Sequence, residues 1–151
     1  MTAAAEPVGR TYPPTLYAVG REKIREYALA TGETNPLHLE LDAARAAGHV
    51  DLVAPPMFAV VYQGRGVHEP LFDPELAIDF PRLLHAAQEF RWGPLVIAGD
   101  EITTTVTIAQ VSSRAGLSFY DFRAESRNQR GELVVEGLWR NVVREREQAA
   151  G

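Results

Sequence analysis

The sequence predicts an α+β fold in which a curved antiparallel sheet wraps around one apolar helix. Helical patterns occupy the first half of the chain, and alternating β patterns occupy the second half. Between them, Pro55-Pro56 opens the stretch 57–62 (MFAVVY), which is apolar on every face. Proline suits a first helical turn, and a helix that is apolar all round is typically buried. One buried helix needs a sheet that curls around it, and this arrangement is the hotdog architecture.

The elements before the apolar helix are short. A strand is expected at 15–19, and apolar residues then recur at helical spacing over 24–31. Gly32 is a typical residue just beyond a helix end. A second short helix is expected at about 41–47. The apolar helix should end near Gly64 or Gly66, and the proline-containing stretch 68–82 is predicted to be a loop.

Four longer strands are predicted, at 84–92, 102–108, 117–125 and 133–143. In the second of these strands, threonine alternates with isoleucine or valine, which is a β pattern. The stretch 128–131 (NQRG) is typical of a hairpin turn with glycine in the left-handed position. An antiparallel sheet of this kind has edges that must be covered or paired, so we expect two such domains side by side.

A chain of 151 residues predicts one domain. Residues 1–14 are rich in alanine and proline and lack periodicity, so they are interpreted as a flexible N-terminal arm. Residues 15–143 form the predicted single hotdog domain, and residues 144–151 form a polar C-terminal tail.

Composition excludes several classes of function. Hydrophobic residues make up 46% and charged residues 23%, as in an ordinary globular protein. No apolar run approaches the ~20 residues of a membrane span, and no charged-then-apolar leader opens the sequence, so a cytoplasmic protein is expected. A net charge of −5 argues against nucleic acid as a partner. The absence of cysteine and of histidine pairs at zinc-binding spacing predicts no metal site.

The most informative stretch for chemistry is 32–38 (GETNPLH), which places a carboxylate and an imidazole five residues apart. Glu33 and His38 together are a candidate general acid/base pair. The Asn35-Pro36 step restricts the backbone and can hold both side chains towards one pocket. From residue types alone, a solvated surface turn remains the alternative.

This stretch resembles the Gly-Asp-x-Asn-Pro-x-His motif of the MaoC-like (R)-specific enoyl hydratases and dehydratases. The resemblance covers about residues 8–145 and continues through 53–58, 98–102 and 128–135, while 8–13 and 19–26 are similar to one group within the family. Within that family, the chain is most similar to the N-terminal MaoC-like dehydratase group, which includes the HadA-type subunits of actinobacterial fatty-acid dehydratases.

The resemblance implies a hotdog protein that handles acyl thioesters of CoA or of acyl carrier protein. Such enzymes add water reversibly across a trans-2-enoyl thioester to give an (R)-3-hydroxyacyl thioester, without a cofactor. Carried over to this sequence, Glu33 and His38 are the catalytic pair, and Asn35 helps to orient the site. The amides of Met57 and Phe58 are the candidate donors to the thioester carbonyl. The expected assembly is a homodimer or a heterodimer with a MaoC-type subunit.

Two departures from the family pattern leave alternatives open. Glu33 stands where active members carry aspartate, which shifts the carboxylate by about a bond length and can cost about 10²-fold in rate. Pro55-Pro56 stands where they carry His-Gly, and proline has no N–H to donate to the carbonyl. The chain is therefore either an active hydratase or dehydratase, or a non-catalytic subunit that binds the thioester beside a MaoC-type partner. A ligand-binding hotdog with a regulatory role is the third hypothesis.

Overall fold

A computed structural model describes residues 7–145 and shows one antiparallel five-stranded sheet wrapped around a helix. The strands lie in the order β1-β3-β4-β5-β2. Their bounds are β1 Thr15–Ala18, β2 Leu83–Trp92, β3 Glu101–Arg114, β4 Leu117–Arg127 and β5 Leu133–Arg144. The helices are α1 Arg21–Ala30, α2 Leu41–Ala46 and α3 Ala59–Leu71, with short 3-10 turns at Pro36–His38, Pro56–Phe58 and Phe80–Arg82. The predicted α+β class and hotdog architecture are confirmed.

The central helix α3 is longer than its sequence predicts. It runs to Leu71, whereas the glycines at 64 and 66 predicted its end and the loop was expected from residue 68. Gly66 is buried against the sheet, where an added Cβ would lie 3.0 Å from Cγ2 of Val106. This glycine therefore serves close contact between helix and sheet rather than helix termination. Pro70 lies in the last turn, so it does not interrupt the helix before its end.

Part of the predicted N-terminal arm lies along the edge of β3. The Gly9 N–H donates to the Ile108 carbonyl at 2.8 Å, and the Tyr12 N–H donates to the Val106 carbonyl at 2.9 Å. Arg10 and Tyr12 also donate to the Asp73 carboxylate, which lies in the loop after α3. Residues 1–6 and 146–151, the ends of the predicted arm and tail, lie outside the described residues.

Two hydrophobic clusters fill the space between α3 and the sheet. The first surrounds the N-terminal end of the helix, where Phe58 and Tyr62 pack with Ile24, Leu52 and Val134. The second lies under its C-terminal half, where Val67 packs against strands β3 and β4. Because the second cluster lies under the C-terminal half of α3, the helix has buried residues beyond Gly64 as well as in 57–62.

One long edge of the sheet is open. The ten residues of β2 pair with β5 on one side, and among residues 7–145 no strand pairs with their other side. Large apolar side chains are exposed on and next to this edge, with Leu84 at 67% and Trp92 at 52%. No helix among the described residues has the length and hydropathy needed to span a membrane.

Candidate functional site

The turn that carries Glu33 is built by the end of α1. Gly32 has a φ of +73°, the left-handed conformation that favours glycine. This conformation lets the Glu33 N–H turn back and donate to the Ala28 carbonyl at 2.9 Å, which ends the helix. Glu33 is half-buried directly after this turn.

Asn35 shapes the next turn. Its side-chain oxygen accepts a hydrogen bond from the Leu37 N–H at 3.0 Å and so caps the 3-10 turn Pro36–His38. Pro36 occupies the first position of that turn, where a missing N–H costs nothing. Asn35 is exposed, and its predicted part in orienting the substrate stays a prediction.

His38 is buried and held in one tautomer. Its Nδ1 lies 2.7 Å from the Val53 carbonyl oxygen, and only 6% of the residue is exposed. A carbonyl can only accept, so Nδ1 carries the hydrogen in the neutral ring and Nε2 has the free lone pair. Nε2 is therefore available to accept a proton.

A backbone ladder connects His38 to the segment that leads into α3. The Val53 N–H donates to the Leu37 carbonyl at 3.0 Å, so Val53 is bonded to the His38 turn at both its N–H and its carbonyl. The Ala54 N–H donates in turn to the Val96 carbonyl at 2.8 Å. The ladder fixes the position of the imidazole relative to the start of the central helix.

Tyr27 lies near Glu33 and is bonded to the same helix start. The Tyr27 hydroxyl donates to the Met57 carbonyl at 3.1 Å, and its ring packs edge-on against Phe58. Burial raises the pKa of Tyr27, and the nearby negative charge of Glu33 raises it further. The His38 imidazole is thus hydrogen-bonded to the segment that leads into α3, whereas the Glu33 side chain makes no hydrogen bond or ion pair within residues 7–145 and acts on Tyr27 only through its charge.

The two predicted amide donors differ at this helix start. The Phe58 N–H donates to the Pro55 carbonyl at 2.9 Å, so it is already occupied. Met57 is the second residue of its 3-10 turn, where an N–H has no carbonyl partner within the turn, and 46% of Met57 is exposed. Met57 therefore keeps an amide that can face a ligand, while the fully buried Phe58 contributes its side chain.

An apolar cavity of about 300 Å³ lies against this segment. Its wall consists of the residues before and within the first turns of α3, the loop after β2 and the start of β5: Ala54, Pro55, Pro56, Phe58, Tyr62, Trp92, Gly93, Pro94, Leu95, Val96, Val134 and Val135. Trp92 Nε1 donates to the Pro56 carbonyl at 2.9 Å and fixes one rim. Glu33 and His38 do not line the cavity.

Sequence reasoning missed Tyr62 and the loop 93–96 as parts of the site. A signal was present at Gly93, because only glycine fits where an added Cβ would overlap the Leu133 carbonyl oxygen. The motif stretch 98–102 has a structural explanation instead. Asp100 is buried and accepts from the Ile97 N–H at 3.0 Å and from Gln129 Nε2 at 2.8 Å, which joins two turns.

Within residues 7–145, no group of three or more acidic or histidine side chains is arranged to hold a metal ion. The chemistry that the site can offer rests on a carboxylate, an imidazole with a free Nε2 and a backbone N–H at the start of a helix.

Comparisons with known proteins show the family and the fold of the chain. The family model described as "FAS1-like, dehydratase domain region" matches residues 6–137. A UPF0336 protein from Streptomyces griseus is 47% identical over 143 residues, which covers 94% of this chain and 95% of that protein. A UPF0336 protein from Leifsonia xyli is 45% identical over 137 residues, with 90% and 92% covered.

Solved structures with this fold include MaoC-like dehydratases and hydratases. One chain of the truncated HadBC (3R-hydroxyacyl-ACP dehydratase) complex from Mycobacterium tuberculosis superposes with a TM-score of 0.76 and 28% identity, covering 91% of this chain and 98% of that chain. The unliganded R-hydratase PhaJ1 from Pseudomonas aeruginosa gives a TM-score of 0.69 at 18% identity, with 95% and 88% covered, and so shares the fold.

Proposed function

The chain belongs to the FAS1-like dehydratase-domain family, and from this premise we propose that it is an (R)-specific 3-hydroxyacyl-thioester dehydratase, which also acts as a trans-2-enoyl-thioester hydratase. One observation carries the proposal. His38 is hydrogen-bonded to Val53 in the segment that leads into α3, Glu33 lies on the same 32–38 turn next to Tyr27, and an apolar cavity is lined by the residues that follow Val53. An acid/base pair next to an apolar chain-binding cavity is what a thioester hydratase needs.

In the hydration direction, water adds its oxygen to C3 of the enoyl thioester and a proton reaches C2. His38 Nε2 accepts a proton from the water as the C–O bond forms, and Glu33 orients that water. Negative charge then develops on the thioester oxygen, where the Met57 N–H at the helix start can stabilise it. Delivery of the held proton to C2 restores His38 to its neutral form, and dehydration runs through the same steps in reverse.

The working unit in this proposal is a pair of hotdog domains joined at the open edge of β2. Exposed Leu84 and Trp92 on this edge give the pair an apolar contact. The related Mycobacterium tuberculosis structure is itself a complex of two subunits. A second copy of this chain and a MaoC-type subunit are the two candidate partners.

One observation favours a second candidate function, that of a non-catalytic subunit that binds the acyl chain. Pro55 and Pro56 have no N–H, and the Phe58 N–H is occupied, so Met57 alone supplies an amide at this turn. Loss of one donor to the developing oxyanion costs about 2.7–4 kcal/mol in an enzyme that relies on it. A MaoC-type partner would then bring the acid/base pair.

The deciding experiment measures loss of enoyl absorbance with crotonyl-CoA and with a longer trans-2-enoyl-CoA. The purified protein is compared with His38→Ala and with His68→Ala, a matched control whose imidazole is exposed near the other end of α3. We expect turnover by the wild type and the control and none by His38→Ala. Absence of turnover by the protein alone, with turnover after mixing with a MaoC-type subunit, would instead support the non-catalytic function.

A further inference from the structure

The apolar cavity contains one polar side-chain group that the proposed chemistry does not use. Of its twelve lining residues, only Trp92 and Tyr62 carry a polar atom on the side chain. Trp92 Nε1 is already bonded to the Pro56 carbonyl. The Tyr62 hydroxyl is the remaining group.

Tyr62 is almost fully buried, with 2% of its surface exposed. Its hydroxyl forms no hydrogen bond with any residue in the described range 7–145, and because it is not among the fully buried unpaired polar atoms it keeps some accessible surface beside the cavity that Tyr62 lines. The ring is held between other aromatic rings, with centroid distances of 6.3 Å to Phe58 and 6.5 Å to Tyr17. Buried hydroxyls are normally paired with protein, water or ligand, so this unpaired one needs an explanation.

The neighbouring residue shows that the core can satisfy polar groups at this depth. Gln63 is completely buried, and its Nε2 donates to the Ala124 carbonyl and to Ser126 Oγ, both at 3.1 Å. Its Oε1 accepts from Trp139 Nε1 at 3.0 Å. Gln63 therefore has hydrogen-bond partners within the core, whereas the adjacent Tyr62 hydroxyl has none within residues 7–145. This contrast indicates that the Tyr62 hydroxyl is available to a ligand in the cavity.

The surroundings of Tyr62 define the chemistry of the ligand group. Burial raises the pKa of Tyr62, so its hydroxyl stays protonated and acts as a neutral donor. The rest of the wall is apolar, so a charged ligand group would lose its hydration without compensation. A neutral oxygen on an otherwise apolar chain fits both conditions. At about 30 Å³ per water-sized group, the cavity holds about ten such groups.

The position of Tyr62 along α3 places its hydroxyl away from Met57. Tyr62 is five residues beyond Met57, so its Cα lies about 8 Å further along the helix, and its side chain leans back toward the helix start. An acyl chain of several bonds therefore separates a carbonyl at Met57 from an oxygen at Tyr62.

We propose that the cavity binds an acyl chain with a hydroxyl or keto oxygen several bonds from the thioester carbonyl, and that the Tyr62 hydroxyl hydrogen-bonds this oxygen. The inference rests on the proposed function, because that function places the thioester carbonyl at Met57. It names the substrate class as distally oxygenated acyl thioesters.

The test is calorimetric binding of octanoyl-CoA and 8-hydroxyoctanoyl-CoA to the full chain. Both chains are saturated, so the measurement requires no catalysis. Because one neutral hydrogen bond distinguishes the two ligands, the wild type should bind the hydroxylated chain about fivefold more tightly. In Tyr62→Phe the preference should disappear, since the ring is kept and only the hydroxyl is lost. Tyr17→Phe is the matched control, because Tyr17 packs on Tyr62 but does not line the cavity, and it should keep the preference.

Equal wild-type affinities, failure of both chains to bind, or a preference that survives in Tyr62→Phe would each overturn the proposal. The wild-type comparison alone decides the matter if a variant fails to fold. A hydroxyl preference without hydration of crotonyl-CoA would contradict the dehydratase function and leave the Tyr62 assignment standing. Hydration of crotonyl-CoA without a preference for the hydroxylated chain would support the dehydratase function and overturn the Tyr62 assignment.

Discussion

The two ends of the central helix α3 are built differently. At its start, Met57, Trp92 and Leu95 are about half exposed around an apolar cavity. At its other end, the loop after α3 covers the second core cluster, where Leu76 and Ile78 pack against it. Tyr12 and Arg10 then fasten that loop through Asp73. The first turns of α3 are therefore left partly uncovered beside the cavity, whereas the opposite end of the helix is covered by the loop that follows it.

If the comparison is right, changes at the helix start should affect turnover without affecting stability. The largest expected effect is that of Glu33→Gln, which removes the carboxylate and keeps the size of the side chain. Because general acid–base groups contribute typically 10²–10⁴-fold, we expect the hydration rate to fall at least about 100-fold. The Glu33 side chain is half-exposed and makes no ion pair within residues 7–145, so the melting temperature should stay unchanged.

Glu40→Gln is the matched control, since Glu40 is an exposed carboxylate just after the same turn and should leave the rate unchanged. A Glu33→Gln variant with full activity would remove Glu33 from the acid/base pair and leave His38 to act alone.

Gly93, in the loop that lines the cavity, is expected to affect stability as well as binding. In Gly93→Ala the added Cβ would overlap the Leu133 carbonyl oxygen, and backbone on both sides would have to move. Overpacking of this kind costs typically 1–3 kcal/mol, so we expect about 2 kcal/mol less stability in urea unfolding, together with weaker acyl-chain binding.

Gly64→Ala provides the control for Gly93→Ala, because its added Cβ would make only an ordinary 3.9 Å contact with Trp139. In a helix interior this change should be neutral or stabilising by up to about 1 kcal/mol. If the two variants unfold at the same urea concentration, the loop 93–96 is not the rigid wall that the cavity requires.

At the C-terminal end of α3, which the following loop covers, Asp73→Ala should lower stability and leave turnover unchanged. Asp73 accepts hydrogen bonds from the Tyr12 hydroxyl at 2.5 Å, from Arg10 at 2.8 Å and from the Glu75 N–H at 2.9 Å. Hydrogen bonds to charged groups contribute about 1.5–3 kcal/mol, so a loss of about 2 kcal/mol in urea unfolding is expected. The hydration rate with crotonyl-CoA should stay at the wild-type value. A large fall in rate with stability retained would show that this end of the helix takes part in the site.

The sequence predicted the fold well because its signals are local. Alternation in 102–108 and the apolar stretch 57–62 require no knowledge of distant residues. The helix end was wrong because Gly66 resembles a stop signal until β3 is seen to lie against it. The motif placed Glu33 and His38 on one turn, whereas the cavity brings together Tyr62, the loop 93–96 and the start of β5, which are far apart in the chain. Tyr62 was hidden in an apolar pattern because its ring packs as a hydrophobic residue and only its environment reveals the hydroxyl.

The smallest expected effect is on the pH dependence of stability, through Asp73 at the C-terminal end of α3. Hydrogen bonds from Tyr12 and from the Glu75 N–H hold the pKa of Asp73 below its usual value. The unfolded chain therefore binds more protons than the folded chain at acid pH. This contribution to stability is present above pH of about 4, the unfolded value, and is lost as the pH falls through the lower folded pKa.

Urea midpoints at pH 5, 4 and 3 measure this loss. We expect Asp73→Asn to lose less stability between pH 5 and 3 than the wild type does, because its side chain has no proton to take up. Asp42→Asn, at an exposed position of α2, should follow the wild-type curve. If Asp73→Asn keeps the full wild-type acid dependence, the carboxylate contributes no pH-linked stability, and the packing of Leu76 and Ile78 closes this end of the helix without it.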